Sequence, residues 1–135
     1  MANQTKSNGY RYWISENRRK ELEHFCRQYH DWQLRLNCVN SMSKIPEEKL
    51  SKNGTYSDPT ANAAEVREYF TDRMDMVRDC CHKAASEIIA KCIFDAVTNG
   101  YSYDQLCSKR EVPCGRRQFY EARQRFFWHL SCARG

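Results

Sequence analysis

Seven basic side chains stand between Tyr101 and Gly135: Lys109, Arg110, Arg116, Arg117, Arg123, Arg125 and Arg134. Only Asp104, Glu111 and Glu121 oppose them there, so the segment carries about +4. A guanidinium can take guanine O6 and N7 together, and a glutamine amide can pair with adenine. The first turns of a helix opening near Cys114 or Gly115 place Arg116, Arg117, Gln118 and Tyr120 where base edges would be read. Arg123 and Gln124 share that face. Arg123, Lys109 and Arg110 are better placed for phosphate, where they set register without reading sequence. The blander alternative is a solvated basic face on a packing helix.

Those side chains need a scaffold, and the flanking spacing supplies one. Ser102 predicts the cap of a short helix carrying Tyr103, Leu106 and Cys107, and Lys109 to Pro113 forms the connector. On the last helix Phe119, Ala122, Phe126 and Leu130, widened by Phe127, recur at helical spacing as an inward stripe. Trp128 extends an aromatic run that resembles a base-stacking platform, but helical spacing turns most of it towards a core. A preceding helix, Ser86 to Thr98, offers Ile88, Ile89, Ile93 and Val97 as a third wall. Residues 86–135 thus form a three-helix, helix-turn-helix unit.

Upstream, Leu22, Phe25, Tyr29, Trp32, Leu36 and Val39 alternate spacings of three and four, the pattern of a helix that packs on another helix. Residues 1–40 are therefore expected to hold a long amphipathic helix with Ser15 as its N-cap; roughly 25 residues would extend about 37 Å. Pro46 and Asn53-Gly54 mark residues 41–56 as a linker, whose Lys44, Lys49 and Lys52 suit a solvated connector. Residues 57–85 form a second long helix, capped by Ser57 or Asp58 with Pro59 in its first position. Its stripe runs Val66, Phe70, Met74, Val77, Cys81, Ala84, with a break expected at Ala84 to Ser86. Gly100 after Asn99 suits a left-handed C-terminal cap. No strand-like alternation survives more than a few residues. The expected fold is all-α: a long helical hairpin or bundle followed by the C-terminal three-helix unit.

Net charge is +5 with a pI of about 8.8, and it is unevenly spread. Residues 1–56 hold ten Lys/Arg against six Asp/Glu, residues 57–100 five against eight. Two basic ends flank an acidic middle, which suits a polyanionic partner without identifying it. Eight cysteines are many for 135 residues. The N-terminus lacks the apolar stretch of a secretory signal, so reduced thiols and a cytoplasmic location are expected. No C-x-x-C pair occurs, and Cys107 and Cys114 flank the turn without a histidine pair, so neither a metal nor another cofactor is expected. No apolar run reaches membrane-spanning length; Ile88 to Val97 is broken by Lys91 and Asp95. His24, His30, His82 and His129 have no nucleophile with an orienting acid, Asp72 and Asp75 fit a solvated helix face, and no glycine-rich phosphate loop is present. Enzymatic activity is not expected.

Taken together, S-D-P-T-A-N-A-A at Ser57 to Ala64, G-Y-S-Y-D-Q-L at Gly100 to Leu106, and V-P-C-G-R-R-Q-F-Y-E-A-R-Q-R-F-F-W-H-L at Val112 to Leu130 resemble the RinA/ArpU-like transcriptional regulators of phages and prophages in Gram-positive bacteria. The resemblance covers roughly residues 57–130. It implies a late-gene activator, acting in the bacterial host cell, with a helix-turn-helix similar to the promoter-reading region of sigma factors. Arg116, Arg117 and Arg123 match the basic recognition helix, and Phe119 and Tyr120 its aromatic pair. The chain departs from the family in carrying Cys114 where a capping Ser or Thr is usual, and in its basic N-terminal helix. The implied partners are double-stranded DNA, host RNA polymerase and a second copy of the chain. Two alternatives stay open: a small terminase-like DNA-packaging subunit, and a helical module that binds RNA polymerase without touching DNA.

Overall fold

A computed structural model describes residues 11–42 and 59–135. They contain six helices and no strand: α1 (Glu16–Arg27), α2 (Tyr29–Met42), α3 (Pro59–Ala84), α4 (Glu87–Asn99), α5 (Tyr103–Lys109) and α6 (Arg116–Arg134). The fold is all-α. Ser41 and Met42 belong to α2; the rest of the expected linker up to residue 56, with its lysines and the Ser57 or Asp58 cap, lies outside the described residues.

Local signals placed most helix ends. The Ser15 hydroxyl accepts from the Arg18 N–H at 3.2 Å and opens α1. Ser102 makes a full capping box with Gln105, each side chain taking the other's backbone N–H, at 3.2 and 2.9 Å; this satisfies two otherwise orphaned donors. Ser86 stands at the N-cap of α4 without a side-chain bond. Gly100 ends α4 at φ +73°, which an L side chain rarely adopts. A Cβ there would first meet the guanidinium end of Arg27, which a flexible side chain can move aside, so the left-handed φ is what calls for glycine. Arg27 thus packs against the C-terminal end of α4, where a cation is favoured.

The chain divides into two compact units. The described part of one comprises residues 29–42 and 59–75. There Arg67 donates from Nε to the Asn40 side chain at 2.9 Å, joining α2 to the first half of α3. Tyr29 and Trp32 are buried, whereas Leu34, Val66 and Tyr69 remain exposed. The single helix expected across residues 1–40 is interrupted. The Gln28 N–H bonds the Phe25 carbonyl at 3.2 Å, a tighter turn that separates α1 from α2.

The other unit, a helical head, comprises residues 11–28 and 76–135. Helices α4, α5 and α6 contact one another, as the three-helix reading requires, but α1 also packs on both α4 and α6. The head is therefore built from more than residues 86–135. Its core joins Phe119, Ala122, Phe126, Phe127 and Leu130 of α6 to Leu22 and Cys26 of α1, Ile93 of α4, and Leu106 of α5, all fully buried. Val77, Cys80, Cys81 and Ala84 bury the end of α3 in the same unit. Each large side chain contributes roughly 1.5–3 kcal/mol by leaving water. The expected wall of α4 is shifted: Ala90, Cys92, Ile93, Ala96 and Val97 are buried, but Ile88 is exposed and Ile89 only half-buried. Ile88 falls in the first turn of α4, and the buried face begins at Ala90.

Candidate nucleic-acid interface

The short helix, connector and basic helix are present in the expected order, with α5 ending at Lys109 and α6 beginning at Arg116. Gly115 is the N-cap and offers no side chain, so the first-turn N–H groups of α6 lack a side-chain acceptor. Its backbone is extended at φ −80° and ψ 171°, and a Cβ there would meet nothing within 4 Å. The opening of α6 therefore presents outward-facing amides and positive dipole, an arrangement suited to phosphate oxygens.

Around that cap the predicted base-reading residues are exposed. The Arg116 side chain is 58% exposed; its Nη2 donates to Asp104 Oδ1 at 2.7 Å, and its guanidinium lies 5.1 Å from the Tyr103 ring centre. The Arg116 hydrogen bond holds the Asp104 carboxyl below its usual range. Arg117 is 94% exposed and reaches Glu121 at 3.0 Å along its own helix. Gln118 is exposed. Tyr120 keeps part of its ring in solvent, but its hydroxyl accepts from the Tyr103 N–H at 3.2 Å and so helps cap α5. Lys109 is exposed, its ammonium 5.7 Å from the Tyr101 ring centre.

The remaining candidates are engaged by the fold. Arg110 is half-buried in an ion pair with Asp95 of α4. Arg123 is only 21% exposed; its Nη2 meets Glu23 Oε2 of α1 at 2.7 Å, while its guanidinium sits 4.9 Å from the Phe127 ring centre. Gln124 donates from Nε2 to the Tyr12 carbonyl at 2.6 Å. Arg125 donates from Nε to the Ala84 carbonyl at 2.8 Å, closing the end of α3, and Arg134 lies 4.0 Å over the Phe25 ring. Arg18, in return, bonds the Ser131 hydroxyl and carbonyl at 3.0 and 3.1 Å.

Sequence reasoning thus found the exposed group and missed the groups that immobilise the others. Glu23, Asp95 and the Tyr12 carbonyl carry no local signal for these roles; Glu23 and Arg123 are 100 residues apart. Comparison with family models, curated proteins and solved structures finds no match for this chain.

All eight cysteines are free. Burial is the main cause of the raised pKa of Cys26, Cys81 and Cys80, the last pushed up to about 11. Among the described residues no group of three or more His, Cys, Asp or Glu converges in a way that would hold a metal. No described helix is long and apolar enough to cross a membrane.

Proposed function

We propose that this chain binds duplex DNA through the opening of α6, as a phage-type transcriptional regulator and, on the resemblance described above, a late-gene activator. The observation that carries the reading is the exposure of Arg116, Arg117 and Gln118 beside an uncapped helix start, on a helix whose phenyl rings are buried. The carboxylates now facing the two arginines do not preclude it. Exposed ion pairs contribute only about 0–1 kcal/mol, so a phosphate or guanine edge can draw Arg116 from Asp104 and Arg117 from Glu121 at small cost. Lys109 adds a phosphate contact from the end of α5. Arg123 and Arg110 belong to a different category, since each holds a half-buried carboxylate of another helix, Glu23 and Asp95, and withdrawing Arg123 leaves Glu23 only the longer pair with Arg19 at 4.0 Å.

Binding in this mode has a steep salt dependence, because each neutralised phosphate releases condensed counterions. The test is a promoter-fragment and random-duplex titration with wild type and the Arg116→Ala/Arg117→Ala variant over a range of salt. Selectivity retained by the double variant, with its helical circular-dichroism signal intact, would remove α6 as the reading helix.

A second reading, docking on protein, is favoured by Leu34, Val66 and Tyr69, large apolar side chains exposed on the unit formed by Tyr29–Asp75. They suit a second copy of the chain or a host RNA polymerase subunit. Failure to shift random duplex at low salt would leave protein docking alone. Ring-sized particles in light scattering, together with DNA binding, would instead favour the packaging-subunit reading over a dimeric regulator.

A further inference from the structure

A cleft of about 420 Å³ opens in the helical head, between the end of α3, the outer side of α4 and the residue that follows α5. Its volume lies within the roughly 300–1,000 Å³ of small-molecule sites. Helical spacing sorts its lining into an apolar floor and a charged rim. On α4, Ala90 and Phe94 stand one turn apart, and Glu87, Lys91 and Asp95 recur at the same interval on the adjoining strip. On α3, Arg78 and His82 stand one turn apart beside Cys81, and Arg110 closes the cleft from the end of α5. Ala90 and Cys81 are buried and Phe94 is half-buried. Burial keeps the Cys81 thiol protonated, so it offers a soft, polarisable surface rather than a charge.

The rim charges are not equally committed. Asp95 is held by Arg110, and both side chains are half-buried. Glu87 meets Lys91 only at 4.0 Å, with both side chains largely in solvent. So long and exposed a pair yields readily to another anion. On the walls of the cleft Arg78, Lys91 and Arg110 outnumber Glu87 and Asp95, leaving one positive charge in excess before His82 is considered.

We propose that this cleft binds a small aromatic monocarboxylate, its ring on Phe94, Cys81 and Ala90 and its carboxylate taken by Lys91 and Arg78. A flat ring gains from an edge or offset contact with Phe94 and from the sulfur beside it. A carboxylate matches the single excess charge, and a guanidinium can hold it through two parallel hydrogen bonds. A multiply charged head group is disfavoured, because Glu87 and Asp95 stand in the same wall and repel it.

The test titrates the isotopically labelled full chain, followed by NMR, with naphthalene-2-carboxylate and with naphthalene-2-carboxamide, which keeps the ring and lacks the charge. Saturable binding of the carboxylate is expected, with nuclear Overhauser contacts from its ring protons to the Ala90 methyl group and the Phe94 ring. The amide should bind about tenfold more weakly, the scale of one lost hydrogen bond to a charged group. Lys91→Gln, at an exposed position, should weaken the carboxylate by a similar factor and leave the amide unchanged. Phe94→Leu, which keeps an apolar side chain, should weaken both probes, and circular dichroism reports the folding of each variant. The site is overturned if the carboxylate does not saturate, or if its ring contacts fall on the exposed Trp13, Leu34 or Tyr69 instead of the cleft. Equal affinity for acid and amide, or a Lys91→Gln variant that binds the acid as wild type does, overturns the assignment of the anion to this rim.

Discussion

At the opening of α6, Arg116 and Arg117 extend into solvent and meet carboxylates that are themselves exposed. Further along the same helix, Arg123 turns onto Glu23 of α1, Arg125 onto the Ala84 carbonyl at the end of α3, and Arg134 onto the Phe25 ring. The residue type is the same, and the difference lies in what packs alongside. Near Gly115 the short α5 adjoins the helix, through Tyr103 and Asp104; further on, α1 packs along it. A guanidinium beside a packed helix loses water and must take a fixed acceptor, whereas one beside solvent keeps a weak, exchangeable partner. A count of positive charge along α6 therefore overstates what is free to meet a polyanion.

The largest effect distinguishing the two regions concerns the core they share. Phe126→Ala should cost about 3–5 kcal/mol by leaving a cavity among α1, α4 and α6, measured by urea unfolding; a loss below ~1 kcal/mol would mean that the rings do not carry the head. Next comes the pair at the helix start. Arg116→Ala/Arg117→Ala should weaken duplex binding by about 30- to 100-fold and flatten the salt slope by about two, while stability moves by no more than about 0.5 kcal/mol. Arg125→Ala should show the reverse pattern. Loss of the charged bond to the Ala84 carbonyl should cost roughly 1–2 kcal/mol, and salt-dependent binding should change little.

Two smaller effects sharpen the contrast. Gly115→Asp introduces a capping side chain where a Cβ meets nothing within 4 Å. It should stabilise the head by a few tenths of a kcal/mol yet weaken duplex binding, since a carboxylate would then occupy the position offered to phosphate. Equal or tighter binding would count against the helix start as the contact. The last concerns pH. Burial, aided by Lys83, Arg11 and Arg125, depresses the His129 pKa below its ordinary 6.5. The unfolded chain therefore takes up this proton first, so stability is complete above about 6.5 and declines as pH falls through the depressed folded value. His129→Gln should flatten that part of the stability profile in thermal melts, while Arg116 and Arg117, remote from any such group, should bind with little change over the same interval.

Helix ends and the buried face of α6 were readable residue by residue. Ser15, Ser102 and Gly100 act through atoms within a few positions of themselves, and the three-and-four spacing of Phe119, Ala122, Phe126 and Leu130 places them on one side of a helix whatever surrounds it. Such information is local, so the chain alone carries it. The interruption at Gln28, the inclusion of α1 in the head and the solvent exposure of Ile88 were not legible, because each depends on which surfaces meet. The same holds for the charged side chains. Nothing near Arg123 in the chain distinguishes it from Arg117; its role was decided when Glu23 arrived from 100 residues away. Short-range rules assign a residue to a face, but long-range packing decides whether that face meets water or another helix, and with it whether a charge is structural or available.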